Sequence, residues 1–217
     1  MPLYTMVLHT SNITRWRISC EWVPCWSGVP AAWHSSRLHR STVDVSMKQC
    51  SVGVCAFGRI AVQSAGNPSA RIAAIDENPG ANELKSGVPF VGRAGQLLDR
   101  LLSSAGLARS DLYILNSCQC VVMEREDRRP LPAELDACRP RLLAELDMVS
   151  PRVVLLLGNS ALSAWFPGYR IGQIINHCRA VDGRVFIASY HPAAALRNPH
   201  LESVIIEGLA LARRLAV

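Results

Sequence analysis

No apolar run in this chain approaches the length of a bilayer span, so the sequence predicts no membrane-crossing helix. The N-terminus, MPLYTMVLHTSNITRW, also lacks a basic leader followed by a compact apolar stretch, the pattern of an export signal. A soluble cytoplasmic protein is the expectation. Without an export signal, and in a chain of 217 residues, the eight cysteines do not read as a disulfide framework. Cys20, Cys25, Cys50, Cys55, Cys118, Cys120, Cys138 and Cys178 are then buried thiols or metal ligands, and composition does not choose between the two.

The formal charge of +6 and the pI of about 9.1 lean mildly toward polyanionic partners. Part of that excess comes from Arg15, Arg17, Arg37 and Arg40, set against Glu21 and Asp44. Charge alone would equally describe ordinary solvated surface. Residues 1–46 carry no clear periodicity and read as an atypical extension, disordered or belonging to a mis-assigned start. A regular domain is expected from Met47 to Val217.

Within that domain, short apolar runs alternate with helical stripes. Arg71–Asp76, Leu112–Asn116, Arg152–Leu157 and Arg184–Ser189 read as buried parallel strands. Ala94–Ala105 places Leu97, Leu98, Leu101 and Leu102 on one helical face, and Gly106 follows as a stop. Pro132–Val149 does the same with Leu135, Cys138, Leu142 and Leu146, with proline in the first turn. A helix begun by Asn159 and Ser160 follows the third strand, and Leu201–Ala216 closes the chain. The expected fold is α/β, a three-layer sandwich with a central four-stranded parallel sheet between helices.

Ligands in such sheets bind beyond the carboxyl ends of the strands. Three unusual segments fall there. In the first, from Asp76 to Leu102, the prolines and glycines are expected to hold a shaped loop without helix until Ala94. Glu77 sits at its lip and Phe90 is an aromatic with little core to bury it; a structural turn plugged by Phe90 is the competing reading. Asn116 ends the second strand, where a carboxamide could cap a turn or read a pyrimidine edge with one donor and one acceptor. His191, pinned by Pro192, would converge with Glu77 and Asn116 on one cleft.

The stretch from about Gly66 to Leu215 resembles the uracil-DNA glycosylase superfamily, and most nearly its iron–sulfur (family 4) type. The resemblance rests on ENPG with GVPFVGRAGQLLDRLL, then YILNSCQC, RRPLPAELDACRP, SPRVVLLLG and SYHPAAALRNP, in that order. It implies base excision: uracil flipped out of DNA and cut from its sugar, with no nucleotide cofactor and a monomer acting on DNA. By residue it implies that Glu77 positions or activates water and His191 stabilises charge on the uracil oxygen. Phe90 would stack on the base, Asn116 would bind its edge, and Asn78 and Glu83 would belong to the same substrate loop. Leu196 and Arg197 fall in the segment that enters the duplex.

The match has departures. Asp76 stands where the family has glycine, Asn78 replaces a small residue, and Leu84 replaces a common acid. These changes leave base choice and residual activity open, so a DNA-binding homologue that no longer cuts, or a glycosylase with altered base specificity, are alternatives. The resemblance also implies a [4Fe–4S] cluster on four cysteines. Cys120 and Cys138 match the later pair, whereas Cys50 and Cys55 are spaced more widely than the usual early pair. Either the cluster forms on altered spacing or none forms. The segment VVMEREDRRPLP has neither the extra length nor the histidine of the covalently trapping relatives.

Overall fold

A computed structural model describes residues 61–120 and 129–217 of the chain. The extension at 1–46, the start of the domain at Met47, and both Cys50 and Cys55 lie outside the described residues.

The four anticipated strands form the centre of the sheet, the first and third each shorter by their leading arginine. They are β2 (Ile72–Asp76), β3 (Leu112–Asn116), β4 (Val153–Leu157) and β6 (Arg184–Ser189). All pair in parallel, and β2, β3 and β4 are buried along their whole length. Burial on both faces explains why they read as apolar runs rather than alternating ones.

Two short edge strands complete a six-stranded sheet in the order β1-β3-β2-β4-β6-β5. The first, β1 (Ala65–Gly66), pairs antiparallel to β3, and β5 (Cys178–Val181) pairs antiparallel to β6. The sheet is therefore mixed at both edges rather than four-stranded. The β5–β6 hairpin turns on Asp182 and Gly183, both left-handed at φ 48° and 79°, the backbone that an Asp-Gly turn supplies.

Helices cover both faces. The face formed by Ile72, Ala74, Ile114 and Leu155 packs on α2 (Arg93–Ser104) and α7 (Leu201–Leu215). The opposite face, with Ala73, Ile75, Leu115 and Leu156, packs on α3 (Pro132–Val149), α4 (Gly158–Trp165) and α5 (Ile171–Ile174). Leu98 and Leu102 of α2 are fully buried, each such burial stabilising the fold by roughly 1.5–3 kcal/mol. The loop after β2 is not wholly irregular: Ala81–Ser86 forms a short helix, α1, between Gly80 and Gly87. It buries none of its residues, which is why no apolar stripe announced it. The remaining helix, α6 (Pro192–Arg197), follows β6 directly and precedes α7. Among the described residues no helix is long and apolar enough to cross a membrane.

Candidate active site

The chain leaves β2 for β3 on one side of the sheet, then crosses back to β4 and continues outward to β6. The strand order therefore reverses between β2 and β4, and their carboxyl ends splay around a crevice, the usual ligand position in such folds. A cleft of about 490 Å3 opens there, within the range of small-ligand sites. Its walls include Asp76, Glu77, Asn78, Phe90, Gly158 and His191.

The strand ends are tied before any ligand arrives. Ser117 donates both its backbone N–H (2.8 Å) and its hydroxyl (2.7 Å) to the Asp76 carbonyl. The Cys118 N–H donates to the Glu77 carbonyl at 3.0 Å. These bonds fix the backbone of Glu77 at the lip of the sheet, with its carboxylate on the cleft. Asn78 also lines the cleft, its carboxamide donating to the Pro79 carbonyl at 3.2 Å. Glu83 is a cleft residue as well, and its Oε1 accepts the Gly92 N–H at 3.2 Å. That bond clasps α1 to the start of α2, so Glu83 shapes the loop as well as facing the cavity.

Phe90 is held in an unusual way. Its backbone is left-handed (φ 55°), a conformation that costs a non-glycine residue about 1 kcal/mol or more. The surroundings impose it. Arg109, in a 3-10 turn before β3, donates to the carbonyls of Pro89 (3.2 Å) and Phe90 (2.8 Å) and is itself paired with Asp99 of α2. Gly95 lets the Phe90 backbone lie against α2, since a Cβ there would meet the Phe90 oxygen at 1.7 Å. The ring is buried at 3 % exposure, yet its face is not spent on core alone. It stacks on the His191 imidazole, with centroids 5.7 Å apart and planes 21° apart.

His191 caps α6: its Nδ1 accepts the Ala193 N–H at 3.0 Å. The single proton of the neutral ring is thereby fixed on Nε2. Nε2 in turn lies 2.6 Å from Asp76 Oδ1. Burial opposes the charged imidazole, but the Asp76 charge and hydrogen bond, helped by Glu77, outweigh it and raise the His191 pKa above its ordinary value. Gly158, left-handed at φ 91°, allows this approach, because a Cβ there would come within 3.1 Å of the His191 Cβ.

Asn116 pairs in register with Asp76 but is 2 % exposed and is not among the residues lining the cleft. Its Nδ2 is buried with no partner among the described residues, an uncommon state for an amide donor. Its carbonyl accepts from Arg141 Nη2 at 2.6 Å, and Arg141 is paired with Glu145 one turn along α3 at 2.5 Å. Both side chains are almost wholly buried. Burial and then the Glu145 charge push the nearby Tyr113 hydroxyl up to about 12. Sequence reasoning missed this arrangement, for which only the i, i+4 spacing of Arg141 and Glu145 was a signal.

At the rim, Leu196 and Arg197 lie on α6; Leu196 is exposed and Arg197 lines the cleft with Arg93 and Arg129, two cations that the motifs did not single out. The cysteines sit elsewhere. Cys118 and Cys138 are buried and hydrogen-bonded to each other, which lowers the Cys138 pKa to about 6 and raises that of Cys118. Among the described residues no three His, Cys, Asp or Glu side chains come together as a metal-holding group. Cys120 and Cys138 alone therefore do not complete the cluster that the resemblance implies.

Residues 63–210 match the family model described as the uracil DNA glycosylase superfamily. A type-4 uracil-DNA glycosylase of Thermotoga maritima is 37% identical over 153 residues, covering 68% of this chain and 79% of that protein. One from Sulfurisphaera tokodaii is 32% identical over 185 residues, covering 80% of this chain and 81% of its own. Another, from Archaeoglobus fulgidus, is 36% identical over 151 residues, covering 64% of this chain and 74% of its own. The chain belongs to the uracil DNA glycosylase superfamily.

Proposed function

We propose that this chain is a DNA repair glycosylase, acting as a cytoplasmic monomer, that flips uracil from DNA and hydrolyses its N-glycosidic bond to leave an abasic site. The observation that carries this reading is the pairing of the Phe90 and His191 rings, 21° from parallel at the cleft. A planar base laid on Phe90 would lie nearly coplanar with the imidazole and meet its Nε2–H edge-on. Stacking and edge hydrogen bonds would offset the few kcal/mol that base flipping costs.

When the bond between the base and C1′ breaks, its electron pair stays with uracil and spreads onto the carbonyl oxygens, while the sugar becomes cationic. His191 Nε2–H is the donor for that developing negative charge. The Nδ2 of Asn116, buried and with no partner among the described residues, is a second donor for the base edge. Glu77 lies on the sugar side, where its carboxylate stabilises the cation and takes the proton of the water that adds to C1′. Asn78 and Glu83 complete the substrate loop. Leu196 fills the gap left in the duplex, with Arg197, Arg93 and Arg129 as phosphate partners.

Purified protein should release uracil from a single-stranded oligonucleotide, read as alkali-labile strand breaks. Glu77→Gln and Asn116→Ala should each slow single-turnover cleavage by about 100-fold. Binding without any cleavage at stoichiometric protein would instead favour the homologue that no longer cuts, a reading supported by the engagement of His191 with Asp76. Faster release of hypoxanthine or xanthine than of uracil would favour altered base choice.

The cofactor belongs to the same proposal: a [4Fe–4S] cluster on Cys120, Cys138, Cys50 and Cys55, which would brace the loop after β3 against the start of α3. Thiolates are the donors such a cluster needs; of these four, Cys120 follows β3 and Cys138 lies in α3. Protein purified without oxygen should be brown, and Cys138→Ser should bleach it. A colourless parent protein would show that no cluster forms.

A further inference from the structure

Asp76 has no part in the scheme above, yet it holds the imidazole on which that scheme depends. It is 8 % exposed at the end of β2, and its Oδ1 accepts two hydrogen bonds, from His191 Nε2 (2.6 Å) and from the Glu77 N–H (2.7 Å). The second bond fixes the carboxylate against its own loop, so Asp76 is not a passing contact. His191 has no other proton to offer, because Nδ1 is occupied by the Ala193 N–H. A neutral ring cannot give one proton to Asp76 and to a base carbonyl together.

We propose that Asp76 is a positioning residue that withholds the Nε2–H of His191 from the base, so that it sets the rate of excision by competing for that donor. This rests on the reading of His191 as the donor to the base oxygen. The competition is uneven in two respects. The carboxylate is charged and already seated, and a charge-assisted bond of this kind is stronger than one to a neutral carbonyl. As charge builds on the leaving base the balance shifts, so the hold weighs more on the ground state than on the transition state. The charged groups facing the ring are Asp76 from β2, Glu77 beyond it and Arg197 from α6. Protonation of the ring would convert its contact with Asp76 into an ion pair and tighten the hold.

The test compares single-turnover cleavage of a uracil-containing oligonucleotide with the 15N-detected titration of the His191 ring. The proteins are the parent, Asp76→Ala, Asp76→Asn, His191→Ala and the double variant Asp76→Ala/His191→Ala. Asp76→Ala should cleave about tenfold faster, the scale of one charge-assisted hydrogen bond removed, with a lower His191 titration midpoint than the parent. Adding His191→Ala should erase the gain. Asp76→Asn keeps an acceptor for both donors without the charge; it should fall between the two, and it carries the test if Asp76→Ala does not fold. A folded Asp76→Ala that cleaves no faster overturns the proposal, as does an unmoved His191 midpoint. If His191→Ala is silent in both backgrounds, the donor reading of His191 fails first, and the proposal with it.

Discussion

Replacing His191 with alanine is expected to slow uracil release by roughly 100- to 1000-fold, the usual loss when one preorganised donor to a developing oxyanion is removed. The expectation follows from how the ring is locked. The Ala193 N–H fixes the tautomer, Phe90 fixes the plane and Gly158 permits the close approach, so Nε2–H is held in place, on Asp76, before substrate arrives. A donor that passes from Asp76 to the base as charge builds acts on the transition state, and the loss should fall on kcat with KM little changed. A lower kcat with a raised KM and a lower melting temperature would mean that the ring merely packs against Phe90. The pH dependence gives an independent readout. Because the folded pKa of His191 is raised, its charged form stabilises the protein fully below the unfolded histidine value, and that contribution is lost as pH rises through the raised folded value. Excision should run the other way. Below the raised midpoint the ring pairs as a cation with Asp76 and is withheld, so activity should recover over the pH range in which this stabilisation fades.

How much of this was legible in the sequence follows from where each interaction is encoded. The four central strands were readable because strands buried on both faces are continuous apolar runs, and α2 and α3 because their stripes recur at helical spacing. The edges were not. β1 is two residues long, and the pattern of β5 is only partly buried, although Asp182–Gly183 was a readable hairpin signal. In the site, Glu77, Phe90 and His191 are legible from loops at strand ends and Asn78 and Glu83 only through the family resemblance, and all five line one cleft. Asp76 was noticed only as an odd side chain. That it would reach His191, 115 positions away in sequence, depends on the adjacency of β2, β4 and β6, which no local pattern states. The grip of Arg109 on Phe90, across 19 positions, was invisible for the same reason.

The buried pair on α3 should dominate stability. Arg141→Met leaves the Glu145 carboxylate inside the protein with its guanidinium partner gone, and removal of one member of such a pair typically costs about 3–5 kcal/mol. For a domain of this size that is a fall in Tm of roughly 6–20 °C, readable by thermal denaturation. Replacing both residues, Arg141→Met with Glu145→Leu, should recover most of the loss, because the stranded charge is then gone and similar volume is retained. If the double variant is as unstable as the single one, the pair is not what α3 depends on. Activity separates a second role. Arg141 also donates to the Asn116 backbone carbonyl at 2.6 Å, holding the end of β3 while the Asn116 Nδ2 has no partner among the described residues. No apolar substitute can make that bond. The double variant should therefore fold nearly as stably as the parent and still excise uracil more slowly, with the deficit absent when Asn116→Ala is already present. Two mutations that restore stability without restoring rate would show that the buried arginine is kept for aiming Asn116 and not for holding the helix.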